Sequence, residues 1–212
     1  MIRPTVVLGT LLFSTFVLNG SPFANGNFET GTGACITATS FITLNSGTNC
    51  ISNWSVSLGS IEYIHNYWQA DDGTHSLDLN GAVRGAVQQT FDTVANSRYQ
   101  VSFGMASNID GGPVIKSLTV SAAGQFQIFT FNGTGKTHAN MGWVTDNFFF
   151  IANSASTTLS FTSNVLLGGF GPALDAVSVA AAPIPEPASA GLLAAGVAFL
   201  MLGRRSLRRL LS

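Results

Sequence analysis

Charge is what this chain has least of. Only 9% of its 212 residues are Asp, Glu, Lys or Arg, where an average soluble domain has about a quarter. Between residues 25 and 182 there are four basic residues, Arg84, Arg98, Lys116 and Lys136, against nine acidic ones, a balance of −5. Neutralising phosphates takes clustered Lys and Arg, so nucleic acid is excluded as a partner. Cysteine is almost as scarce: Cys35 and Cys50 are the whole complement. With no CxxC pair and no adjacent base, a redox or thiol-nucleophile role is excluded. The three histidines, His65, His75 and His138, lack the spacing of a zinc site. No G-x-S-x-G turn is present to expose a serine nucleophile. "FNGTGKTH" ends like a phosphate-binding loop, but Thr130 stands where that motif needs its first glycine, and no helix follows. There is no internal repeat, and no helical periodicity before residue 188.

Long apolar runs are also missing; two short ones sit near the ends. The first, from Val6 to Leu18, follows Arg3 and precedes the small residues Ser21 and Ala24. That order predicts a secretory signal peptide over 1–24, cut near Ala24, although Pro22 is unusual so close to a cut. The second run, from Ala188 to Leu202, predicts a short transmembrane helix over 188–203. It lies between a 181–187 linker and a basic tail, 204–212, with Arg204, Arg205, Arg208 and Arg209. Fifteen residues rise about 22 Å, and arginines can snorkel to the interface to make up the rest. Positive residues stay cytoplasmic, so the 25–180 domain faces outward. Export places Cys35 and Cys50 in an oxidising compartment. A bridge between them closes a Thr/Ser/Asn-rich excursion and stabilises it by about 3 kcal/mol in the chain-entropy model.

What fills the middle is period-two alternation. In "RYQVSFGMA", Tyr99, Val101, Phe103 and Met105 share one face and Gln100, Ser102 and Gly104 the other, the pattern of a half-buried antiparallel strand. "HSLDL", "AVQQTF", "KSLTVSA", "QFQIFTF", "WVTDNFFFIA", "TTLSFTS" and "ALDAVSV" repeat it between Gly, Asn, Ser and Asp clusters. Many short strands with that punctuation predict an all-β sandwich, a jelly roll.

Two groups of residues are candidates for function. In "IEYIHNYWQADDGTHSLDLNG", Tyr63, Tyr67 and Trp68 lie beside His65, Asp71 and Asp72. Aromatic faces next to polar groups suit sugar rings, and core packing is the alternative reading. Trp54 and Trp143 read as core. Asp175 shares strand parity with Val177 and Val179, so it points to the apolar side unless the strand bends there. Calcium or backbone amides would then have to satisfy its charge. Nine acids also offer many pairs for glycoside hydrolysis, with none marked above the rest.

Three stretches carry resemblances. Pro185-Glu186-Pro187, the apolar run and the four arginines together resemble a PEP-CTERM sorting signal. That resemblance implies recognition and cleavage by a membrane-embedded exosortase of a Gram-negative bacterium, transient anchoring in the inner membrane, and release to the cell surface or exopolysaccharide matrix. "NGNFE", "ISNWSV", "DDGTHSLDLNG", "VQQTF", "YQVSF" and "GPALDAVSV" make the body similar to the choice-of-anchor C family, with a galactose-binding-like jelly roll. The first and last of these motifs also look like those of carbohydrate-binding modules with that fold. There a Glu of the first strand and an Asp of the last help hold a structural calcium, which implies Ca2+ at Glu29 and Asp175. Ala176 departs from the polar residue usual after that aspartate. The expectation is an exported, non-catalytic domain that binds polysaccharide through Tyr63, Tyr67 and Trp68. The alternatives are a structural matrix protein with no defined sugar, or a polysaccharide hydrolase.

Overall fold

A computed structural model describes residues 22–183. Eleven strands occupy them in chain order: β1 (Phe41–Asn45), β2 (Ser55–Leu58), β3 (Ser60–Ile64), β4 (Ser76–Asp78), β5 (Ala86–Asp92), β6 (Arg98–Ser107), β7 (Ile115–Ala122), β8 (Gln125–Asn132), β9 (Val144–Ile151), β10 (Ser156–Ser163) and β11 (Pro172–Ala182). They form two antiparallel sheets, β1-β3-β4-β11-β6-β9 and β2-β5-β10-β7-β8. The chain crosses repeatedly between them, which makes the domain an all-β jelly-roll sandwich. Among the described residues no helix is long and apolar enough to cross a membrane. The leader, the Pro-Glu-Pro motif, the apolar run and the basic tail lie outside the described residues.

All eight stretches with period-two alternation are strands, β4 to β11. Their apolar faces meet between the sheets, where Phe103 stands edge-on to Phe129 and Phe161, with ring centroids 5.1 and 5.2 Å apart. Trp54 is core, as expected, whereas Trp143 is only half-buried, at the border of the core cluster. "GTGKTH" lies in the loop from β8 to β9. Cys35 and Cys50 are bonded, but the segment they enclose is not all excursion. It contains β1, paired with β3 from Phe41↔Ile64 to Asn45↔Ser60. Only Leu44 of that strand is buried, so alternation is too weak there to read.

The one correction to strand parity falls at Asp175. The pairing of β11 with β6 shifts register between Asp175 and Ser178, and Ala176 takes a positive φ of 49°. This bulge inserts an extra residue and turns side chains over. Leu174, opposite Met105, and Val177 stay on the core side, while Asp175 leaves it to sit opposite Gly104 on the outer face of the six-stranded sheet. The loop after β3 folds back over that outer face.

Candidate functional site

The loop of residues 65–75 joins β3 to β4, and two carboxylates hold its last five residues. Glu29 accepts the N–H groups of Thr74 and His75, both at 2.6 Å, the Thr74 hydroxyl at 2.9 Å, and meets His75 Nδ1 at 2.7 Å. Burial works against its ionisation, but these hydrogen bonds prevail and hold it below the usual carboxylate range. Gly73 has a φ of 75°, and a Cβ there would stand 2.4 Å from Glu29 Oε1, so the loop needs glycine at this point. From the other side Asp175, wholly buried, accepts N–H from Asp71 at 2.8 Å, Asp72 at 3.0 Å and its own neighbour Ala176 at 2.6 Å. Burial pushes Asp175 up to about 7. The structure therefore brings Glu29 and Asp175 to one loop. Their oxygens are engaged chiefly by amide hydrogens, and no cluster of three or more His, Cys, Asp or Glu suited to a metal occurs among the described residues.

The expected aromatic trio divides. Tyr63 follows the inward parity of Ile61 on β3 and is fully buried, its hydroxyl donating to the Phe28 carbonyl and its ring stacked on His75 at 5.2 Å. Burial also raises its ionisation far above the tyrosine range. It presents no face to a ligand, which corrects the sequence expectation for this residue. Trp68 is 5% exposed and lies against the sheet, its Nε1 donating to Ser76 Oγ at 2.8 Å. Its role is to seat the loop, a second correction. Tyr67 alone remains half-exposed.

Around Tyr67 three loops converge. Phe41, 42% exposed, stands edge-on at 5.3 Å, and His138 from the loop between β8 and β9 lies 4.6 Å away. Asp110, from the loop between β6 and β7, bridges them: Tyr67 donates its hydroxyl to Oδ2, and His138 Nε2 meets Oδ1, both at 2.9 Å. Bonds to backbone carbonyls latch the loops together, with Gln69 N donating to the His138 carbonyl at 2.8 Å and the Trp143 side-chain Nε1 to the Gln69 carbonyl at 2.9 Å. The result is a ledge with aromatic faces and a carboxylate-imidazole edge. Glu62 sits half-buried nearby and is raised, first by burial and then by the charge of Asp110. Sequence reading missed Asp110, His138 and Phe41. They lie far from Tyr67 in the chain, and His138 carried only a zinc-spacing question.

Behind the ledge, Asp78 is wholly buried. It accepts N–H from Asn80 at 2.8 Å, Gly171 at 2.9 Å and Asn108 Nδ2 at 2.8 Å, and burial pushes it up to about 8. By tying β4 to the loop that carries Asp110, it fixes the position of the ledge.

Fold and site thus define a jelly-roll domain with a loop-built ledge against one sheet. Residues 21–180 match the family described as "Protein of unknown function (DUF642)", and the chain belongs to that family. It is 27% identical over 157 residues to halomucin of Haloquadratum walsbyi, covering 73% of this chain. It spans about 2% of the length of that curated relative. Among solved structures it is similar to CBM35 from Paenibacillus barcinonensis, with 17% identity, a TM-score of 0.42, and coverage of 66% of this chain and 99% of the other. It is also similar to TmCBM61 in complex with beta-1,4-galactotriose, with 14% identity, a TM-score of 0.43, and coverage of 76% and 99%.

Proposed function

We propose that the domain is a non-catalytic module that binds polysaccharide on the ledge of Tyr67, His138, Phe41 and Asp110. The observation that carries this is the bridged pair: one carboxylate orients an accessible phenol and an imidazole into a common edge beside exposed aromatic carbon. Sugar C–H faces pack on such carbon while hydroxyls exchange hydrogen bonds with the edge. Asp78 and Asp175 are enclosed by the fold, and Asp110 is committed to two partners. Glu62 and Asp110 are the acids a hydrolase reading would use, and no turnover of polysaccharide is expected from them. On a glycan array, saturable binding should fall about tenfold or more in Tyr67→Ala. Equal binding by that variant would sink the ledge as the site.

A second reading, a matrix protein acting by self-association, is favoured by one observation. The edge strand β8 carries no charge and exposes Phe126 at 70% and Ile128 at 57%. Long uncharged edges of this kind pair with other chains. It predicts no saturable glycan binding at all.

We propose further that both ends of the chain serve its delivery and that the 71–75 loop holds a cation. The chain is exported through its leader, is held briefly in the inner membrane by the 188–203 run, and is released by an exosortase at Pro185-Glu186-Pro187 to the cell surface or matrix. The order of Pro185-Glu186-Pro187, the apolar run and the four arginines, read above as resembling a sorting signal, is what supports this. Structural Ca2+ at Glu29 and Asp175 would fix the 71–75 loop. Its entry requires the amides now on those oxygens to turn away and carbonyls to face the ion, since calcium takes six to eight oxygens.

A further inference from the structure

The ledge stands on the outer face of the six-stranded sheet, and strand register fixes what borders it. Phe41 is opposite Ile64, Thr43 opposite Glu62, and Glu62 in turn opposite Asp78. Residues paired across strands share a face, as do alternate residues of one strand. Phe41, Thr43 and Glu62 therefore point to the same side, with Glu62 set two residues along the sheet from Phe41, a spacing of about 7 Å. Asp78, its neighbour on β4, is sealed below, whereas Glu62 stays half-buried.

Two carboxylates thus border the aromatic faces, and no basic side chain answers them. The charge of Asp110 adds to burial in raising Glu62, and both acids act on the Tyr67 phenol. Among the described residues no Lys or Arg pairs with either carboxylate. The four described bases are engaged elsewhere: Arg84 with the Ser163 carbonyl, Arg98 with the Pro183 carbonyl and the Phe149 ring, Lys116 with the Gly111 carbonyl, and Lys136 against Gly142. Asp110 is bridged by Tyr67 and His138, whereas no donor among these residues reaches Glu62. A metal ion needs several such ligands together, and no group of that kind occurs among the described residues. An organic cation needs less. Aromatic faces attract an ammonium through the ring quadrupole, and a partly desolvated carboxylate beside them supplies its counter-charge. The acidic balance of the domain also draws polycations toward it.

We infer that the ledge selects polysaccharides built from amino sugars, with the free ammonium of one hexosamine unit held by Glu62 beside the rings of Phe41 and Tyr67. The inference rests on the carbohydrate reading above and names the substrate class of that site. Tyr67 supplies stacking that any sugar ring can use, and Glu62 sets the preference among rings. N-acetylation removes the charge that Glu62 reads. A uronate brings a like charge, which Glu62 and Asp110 repel.

The test is titration calorimetry on the full chain with oligomers of β-1,4-linked glucosamine, their fully N-acetylated counterparts, and oligogalacturonate, in a mildly acidic buffer that keeps the amines protonated. The glucosamine oligomer should bind about tenfold or more tighter than the acetylated one, with the gap narrowing as salt is added, and the uronate should bind weakest. Glu62→Gln should remove that gap by weakening the glucosamine oligomer alone, and Tyr67→Ala should weaken both oligomers. Glu62→Gln replaces an unpaired carboxylate with a neutral group of the same shape, so its melting temperature should match or exceed the parent's, which separates lost preference from lost folding. If the acetylated oligomer binds as well as the free amine, or if the preference survives Glu62→Gln, the inference fails while binding that depends on Tyr67 leaves the ledge standing. Tight binding of the glucosamine oligomer that is indifferent to Tyr67→Ala is adsorption of a polycation to an acidic surface, and it overturns the inference and the ledge together. Absence of binding by every oligomer does the same.

Discussion

The carboxyl of Asp78 has no access to water, and its ionisation is displaced from the ordinary aspartate range up to about 8. A folded chain that holds this proton more tightly than the unfolded one loses stability as pH rises. The unfolded state binds fewer protons throughout the window from the ordinary aspartate range to about pH 8. The melting temperature should therefore decline across that window and level off above it, and Asp78→Asn should flatten the slope. Thermal melts of both proteins at a series of pH values check this, and parallel slopes would refute it. The short alternating run around Asp78 does not by itself say that this acid is enclosed. Only the neighbouring loops, which place Asn108 and Gly171 on it, make it interior.

Among the elements, the bonded Cys35 and Cys50 enclose β1, an edge strand held by pairing with β3 and by one buried side chain, Leu44. So little burial leaves the strand dependent on its closure. Replacing both cysteines with serine should cost about 3 kcal/mol, and lower the melting temperature by roughly 6–12 °C for a domain of this size. Calorimetry of that variant gives the answer. The 71–75 loop is gripped through Glu29 and Asp175 rather than through packing, so a bound cation would show there. If Ca2+ is the structural ion, adding it should raise the melting temperature, chelation should reverse this, and Asp175→Asn should abolish the difference. Identical melts with calcium and with chelator would leave these carboxylates with the backbone amides and, for Glu29, the Thr74 hydroxyl and His75 ring. The eight alternating strands were legible because most of them set an apolar face against the core and a more polar one away from it, although β4 is buried on both faces. β1 and the bulge at Ala176 were not, since edge exposure blurs the pattern and a bulge reverses it.

At the scale of the whole molecule, the segment before β1 belongs to the domain. Phe23 stands edge-on to Trp54 at 5.8 Å and to Phe91 at 5.5 Å, and Ala24 exchanges two hydrogen bonds of 2.9 Å with the Gln89 side chain. A leader cut at Ala24 would strip Phe23 from these contacts, so processing that preserves the fold falls before Phe23. If the leader and the sorting motif act as proposed, intact mass spectrometry should show a chain beginning at or upstream of Phe23 and ending near Pro185 to Pro187. A Glu186→Ala variant should retain its tail through Ser212. A native chain that also keeps the tail would leave the apolar run as a plain anchor.

The sequence by itself determined the fold class, the disulfide pairing and the acidic, charge-poor surface. These follow from near-neighbour alternation, from having only two cysteines, and from composition, none of which depends on distant contacts. Tertiary structure decided which aromatic residue faces outward, where Asp175 points, and that Tyr67, Asp110 and His138 form one edge. Those outcomes depend on loops 28 and 43 residues apart meeting over a sheet, and on a one-residue bulge that no local pattern encodes.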